Sequence, residues 1–245
     1  MRAEQVTAIN GGYFMLSEIK ERVLRANLAL KDHGLITLTW GNASEIDRES
    51  GLVVIKPSGV SYDNMTTEDM VVVDLDGRVV EGELNPSSDT PTHLEMYRRF
   101  PELGGITHTH SRWATVFSQA GAEIPALGTT HADAFFGSVP VTRAMTAEEV
   151  AGEYERNTGV VIAECFTDKS PLDIPAALVR SHGPFTFGKD AAESVKNAVI
   201  LEEVAMMAYH TLAMAPDAEI GEGLLEKHYK RKHGKDAYYG QVKKI

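Results

Sequence analysis

Between Leu35 and Val80 the chain runs through short β-prone segments with no helical pattern between them: Leu35–Trp40, Leu52–Lys56, Val71–Leu75 and Arg78–Val80. Their β-branched and aromatic side chains suit the pleated surface of a sheet. Asp76-Gly77, between the last two, is a hairpin signal. Strands that succeed one another without a crossover helix pair antiparallel. The expected fold is therefore mixed α/β with a largely antiparallel or mixed sheet, rather than a doubly wound one.

Helical signals surround this block. From Ser17 to His33 the apolar residues Ile19, Val23, Leu24, Leu28 and Leu30 recur near helical spacing, and Gly34 follows as a left-handed stop. Asp89-Thr90-Pro91 reads as a capped helix start with proline in its first turn, closed by Pro101. A strand at Ile106–His110 leads into a helix ending near Gly121, and further strands are expected at Leu127–Thr130 and Val139–Thr142. Thr146 and Glu149 form a capping box for a helix that Gly159 should stop. Val160–Cys165, Ala177–Ser181 and Phe185–Phe187 read as the last strands. Asp190 with Glu193 caps a long helix, and Leu224–His233 forms a final basic one.

Composition bounds the function. At 245 residues and 43% hydrophobic, with no linker, charge block or repeat, the chain reads as one domain with a substantial core. A net charge of -11 opposes broad attraction to nucleic acid or an anionic membrane, so any phosphate must be met locally. The lone cysteine, Cys165, is a packing residue compatible with a reducing cytoplasm. The apolar stretch Ala191–Ala215 is broken by Glu193, Lys196, Glu202 and Glu203, so it reads as an amphipathic helix and not a membrane span. Residues 1–14 lack a signal-peptide core and read as a disordered or artificial extension, with the domain proper at 15–245 and a second start at Met15.

The chemistry concentrates in a few places. In His108-Thr109-His110 two imidazoles spaced by one residue share a strand face and can converge on one atom, and His182 follows a later strand. Three nitrogen ligands leave a position open, as in a catalytic metal site, and suit zinc best. Pro86-Ser87-Ser88-Asp89 opens a helix, where free N–H groups and two hydroxyls favour an anion. Lys56-Pro57-Ser58-Gly59 offers a cation, a hydroxyl and a glycine in a turn, although either motif alone is more often an ordinary turn. Asn42 is either a turn residue or a ligand contact, and Asp133 either a loop hydrogen-bonder or an acid/base. Tyr238-Tyr239, near the chain end, suggests docking onto a neighbouring subunit.

In order, Gly41-Asn42, Lys56–Gly59, Pro86–Asp89, Gly104–Ser111, Thr129–Asp133, Ser181–Pro184 and His233–Gly240 resemble the motifs of the class II sugar-phosphate aldolase/epimerase family, from about Met15 onward. The resemblance implies a single-domain, three-layer α/β/α fold of the aldolase/adducin-head type. It implies zinc on His108, His110 and His182, with Asp89 as a fourth or displaceable ligand. Asn42, Ser58, Gly59, Ser87 and Ser88, helped by Lys56, would bind the phosphate of a small phosphorylated pentose. Asp133 and Tyr239 would be the acid/base pair, with Tyr239 from an adjacent subunit of a homotetramer. In sister aldolases the position of Asp89 resembles a glutamate, so the aspartate favours an epimerase; a non-enzymatic scaffold of this fold would have lost the histidines.

That reading is chemically consistent. Carbon 4 of a 2-ketopentose is not adjacent to the carbonyl, so its hydrogen is not acidic and deprotonation cannot invert it. No G-x-G-x-x-G fingerprint for a nicotinamide opens a helix. Retro-aldol cleavage between carbons 3 and 4 needs only a Lewis acid to stabilise the enediolate.

Overall fold

The computed structural model describes residues 2–235 and 237–238, with side chains from residue 16 onward. Helix α1 (Arg2–Asp32) includes the span set apart above as an extension, and Gly34, at φ 69°, turns the chain after it. Strands β1 (Asn42–Asp47), β2 (Leu52–Ile55), β3 (Val71–Val73) and β4 (Val79–Glu81) follow, then helix α2 (Thr90–Arg99) and strand β5 (Gly105–His108). Helices α3 (Arg112–Ala120), α4 (Thr129–Ala132), α5 (Ala147–Ala151) and α6 (Tyr154–Glu164) precede β6 (Ala176–Leu178) and β7 (Pro184–Gly188), and α7 (Ala191–Met214) and α8 (Glu222–His233) complete the order. The strands form one seven-stranded sheet, β4-β3-β2-β1-β5-β7-β6, antiparallel at every pairing.

Strand alternation builds two cores. Val53, Val71 and Val73 join α2 and the C-terminal half of α7 on one face, whereas Val54 and Val72 meet α1 and the start of α7 on the other. Helices thus cover both faces, giving three layers. Each fully buried Val, Leu or Phe contributes roughly 1.5–3 kcal/mol, so the sheet is the rigid frame to which the site is attached.

Several local signals that rest on hydrogen bonds hold, although Asp89 makes no side-chain cap bond at the start of α2. Gly77 takes φ 84° in the β3–β4 hairpin, Thr146 and Glu149 make the reciprocal capping box, and Asp190 accepts the Glu193 N–H at 2.7 Å. Several segments differ from the sequence expectation. Leu35–Trp40 is a loop in which exposed Leu38 sits at φ 54°, and the central strand is the polar Asn42–Asp47. Its buried polar groups find distant partners: Glu45 accepts from Arg22 at 2.5 Å and from the Ala191 N–H at 3.0 Å. Val160–Cys165, expected as a strand, continues α6 up to its C-cap, and Gly159 lies inside that helix instead of stopping it. A Cβ there would stand 2.7 Å from the Cβ of Glu95, so the glycine permits α6 to pack closely on α2. Tertiary packing overrides β propensity at this point. Leu127–Thr130 and Val139–Thr142 are not strands either: Thr129 starts α4, while Val139 and Val141 make only isolated bridges to Ile124 and Leu178. No helix among the described residues is long and apolar enough to cross a membrane.

Candidate metal centre

The sheet register assembles the site. β1 and β5 pair Asn42 with His108, and β5 and β7 pair His108 with Phe185, so three neighbouring strand ends set the floor. Fully buried Phe185 stacks on His108 with ring centroids 4.2 Å apart. The His108 Nδ1–H donates to the Pro184 carbonyl at 2.9 Å, which leaves Nε2 with its lone pair facing the site. β5 ends at His108, so His110 projects from the turn beyond it, not from the strand itself. Even so, the Nε2 atoms of the two rings lie 3.1 Å apart.

His182 arrives from the β6–β7 connection. Val179 N–H donates to the Gly183 carbonyl and His182 N–H to the Val179 carbonyl, a tight turn in which Ser181 takes φ 62° and His182 occupies the tip. A Cβ on Gly183 would lie 2.7 Å from the Thr109 carbonyl and 3.2 Å from the His110 ring, so glycine lets the two loops meet. One ligand atom from each of His108, His110 and His182 falls within 4.8 Å of the others. Tetrahedral zinc at its usual Zn–N length holds its nitrogens about 3.3 Å apart, a spacing that the His108–His110 pair already matches, with the His182 nitrogen within reach of the same ion. Burial and the neighbouring histidines push His182 down to about 4, and burial also lowers His110. In both the neutral form is favoured, as ligation requires.

Asp89 stands at the helix N-cap position, but its carboxylate makes no cap bond and instead accepts from Asn42 Nδ2 at 2.7 Å. Burial works against its ionisation, yet His108, His93 and the Asn42 hydrogen bond outweigh that and hold its pKa below the usual carboxylate range. The two anion-type turns are joined: Ser87 N–H donates to the Lys56 carbonyl at 3.0 Å and Ser58 N–H to the Asn85 carbonyl at 2.9 Å. Lys56 lies over the Tyr62 ring, and burial lowers its pKa to about 8. Asn42, Lys56, Ser58, Gly59, Ser87, Ser88, Asp89 and all three histidines line one cavity of about 420 Å³.

Thr39, Trp40, Tyr154 and Glu155 also line it, and sequence reading passed over them. Tyr154 Oη lies 3.5 Å from His182 Nδ1, and Trp40 packs against His110 with centroids 6.0 Å apart. Trp40 beside Gly41-Asn42 was the available signal, whereas nothing local links Tyr154 to His182.

Asp133 is elsewhere. It lines a larger cavity of about 780 Å³ with α8, where Arg231 donates at 2.7 Å and His228 Nδ1 lies at 3.0 Å. Burial opposes ionisation, but Arg231, Lys232 and His228 prevail and hold Asp133 down to about 2. Tyr239 lies outside the described residues. Because the folded pKa is depressed, the ionised Asp133 contributes stability above its unfolded value of about 3.9, and this is lost as pH falls towards 2. Acid melts should therefore show the unaltered protein gaining more stability between pH 2 and 4 than Asp133→Asn. Parallel curves would contradict the ion pairs.

A sequence profile described as the Class II Aldolase and Adducin N-terminal domain matches residues 21–209. The chain belongs to that family. Among similar solved structures, an L-fuculose 1-phosphate aldolase is 24% identical, with 87% of this chain and 95% of that one covered at a TM-score of 0.75. The L-fuculose-1-phosphate aldolase of Thermus thermophilus is 28% identical over 80% of this chain and 97% of that one, at 0.63. YgbL of Escherichia coli, described as a putative aldolase/epimerase/decarboxylase, is 22% identical over 87% and 98%, at 0.69.

Proposed function

We propose that this protein is an L-ribulose-5-phosphate 4-epimerase, interconverting L-ribulose 5-phosphate and D-xylulose 5-phosphate by cleaving and re-forming the bond between carbons 3 and 4. The observation that carries the reading is the shared cavity, with the three histidines and Asp89 beside the joined Lys56–Gly59 and Pro86–Asp89 turns. A zinc ion held by His108, His110 and His182 would supply Lewis-acid stabilisation of the enediolate fragment. The serine hydroxyls, the N–H groups of the turns and Lys56 would anchor the phosphate, so the aldehyde fragment stays bound while it exposes its other face. Asp133 and Tyr239 are proposed as the acid/base pair that removes and returns the carbon 4 hydroxyl proton. Asp133 lines a different cavity within its own chain, and Tyr239 is proposed to reach in from an adjacent subunit of a homotetramer, so the pair would act at a site shared between subunits.

Incubating metal-replete protein with L-ribulose 5-phosphate should yield D-xylulose 5-phosphate, and a chelator should stop it; no product would sink the epimerase. The second reading, an aldolase, draws on the L-fuculose 1-phosphate aldolases among the similar structures, and predicts free fragments from L-fuculose 1-phosphate instead. Asp133→Asn and Tyr239→Phe should each slow epimerisation by about 100- to 10,000-fold, and mixing them should restore activity in hybrid tetramers if the residues come from different subunits.

A further inference from the structure

Two of the three histidines stand off the sheet, and one helix braces both of their loops. His108 ends β5, whereas His110 lies in the turn leading to Ser111, the N-cap of α3, and His182 sits at the tip of the β6–β7 connection. Near its C-terminal end α3 meets the second loop directly, where the Ser181 N–H donates to the Ser118 carbonyl at 2.8 Å. Ala114, Phe117 and Ser118 are buried, so the body of the helix is anchored in the core.

The N-terminal end of α3 is held differently. Ser111 occupies the N-cap position, yet its side chain makes no cap bond. Two N–H groups of the first turn, which have no partner inside the helix, are met by Glu202 from the middle of α7. Trp113 N–H donates to Oε1 at 2.9 Å and Ala114 N–H to Oε2 at 3.1 Å. Both oxygens of one carboxylate thus engage two successive backbone groups, a charge-assisted contact at the positive end of the helix dipole. A serine at the N-cap can satisfy such a group locally. A carboxylate 89 residues further along the chain does more, because it ties the turn to a helix that packs on β5 and β7. Only Ser111 and Arg112 separate His110 from Trp113. We infer that Glu202 is a positioning residue of the metal centre, holding the first turn of α3 on α7 and through it the His110 ring beside His108. This rests on the metal-site reading above. The buried side of α3 keeps the helix in place without Glu202, so losing the carboxylate loosens the turn that carries His110 more than it loosens the fold.

The test is cobalt(II) titration of the metal-free protein, followed by visible absorption, with thermal unfolding measured alongside. Outer-shell groups are typically worth about 10- to 100-fold in metal affinity, and Glu202 acts through backbone, so Glu202→Ala should weaken binding by about tenfold. The visible bands of the bound ion should change as well, because one of its nitrogens is displaced. Asp190→Ala is the control. It removes the cap bond at the start of α7, against Gly105 and so at the opposite end of β5 from His108, and should lower the unfolding temperature without altering cobalt affinity or spectrum. Unchanged affinity and bands in Glu202→Ala, or an equal loss of affinity in Asp190→Ala, would each overturn the inference. Should Glu202→Ala fail to fold, Glu202→Met keeps the side chain's length and removes both acceptors: weakened cobalt binding supports the inference and unchanged binding overturns it. If neither variant folds, Glu202 holds the fold and not the turn, and the inference falls. If the unaltered protein binds no cobalt, the metal-site reading falls and this inference with it. If it binds and Glu202→Ala binds equally well, only the inference falls.

Discussion

Replacing His182 with alanine is expected to empty the metal site and lower turnover by about a thousandfold or more, while the fold survives. His182 sits at the tip of a turn whose own backbone hydrogen bonds hold it, and its ring is partly exposed. Losing it removes little core packing, but takes away one of the three nitrogens that define the site and leaves two imidazoles with Asp89, a weaker and less fixed donor set. Lewis-acid stabilisation is worth several kcal/mol, and each 1.36 kcal/mol is a factor of ten in rate, which sets the thousandfold scale. Metal analysis of the purified variant, its turnover of L-ribulose 5-phosphate and its unfolding curve in the metal-free state together decide the point. A variant that keeps both its metal and its rate would remove His182 from the site.

Phe185→Ala should show the converse, failing first in stability. The ring is fully buried on β7, stacks under His108 and meets His93 edge-on. Truncating a buried phenylalanine costs about 3–5 kcal/mol, because the cavity closes only partly. For a chain of this size each kcal/mol is about 2–4 °C in Tm, so a drop of roughly 10 °C is expected. Metal affinity should fall as well, since His108 loses the surface that keeps its ring aligned with the Pro184 carbonyl. A denaturation midpoint shifted by under about 1 kcal/mol would mean that the site is not built on this core.

Local chemistry was legible in the chain wherever a residue's partner lay within a turn or so. The Thr146–Glu149 capping box, the Asp190 cap, the Asp76-Gly77 hairpin and the stop at Gly34 each bind their own backbone or relax it, so type and spacing suffice. His108 and His110 do converge, with Nε2 atoms 3.1 Å apart, although the strand expected to carry them both stops at His108. β1 shows the limit: Asn42-Ala43-Ser44-Glu45 reads as a polar turn because its hydrogen-bond partners, Asn27, His93, Arg22 and Ala191, lie elsewhere in the chain. The valine run of α6 shows it again, since close packing on α2 at Gly159 outweighs the propensity of a few side chains.

By itself, then, the sequence determined the antiparallel succession of early strands, the helix boundaries set by caps, and the residue types offered by the proposed metal and phosphate motifs. Tertiary structure alone decided which polar segment became the central strand, that the Lys56 and Ser87 turns are hydrogen-bonded to each other, and that Asp133 pairs with α8 away from the histidines. It also brought Tyr154 and Trp40 to the site. The reason is physical. A buried polar group is stable only beside its partner, and when that partner is dozens of residues away, no local pattern records the pair.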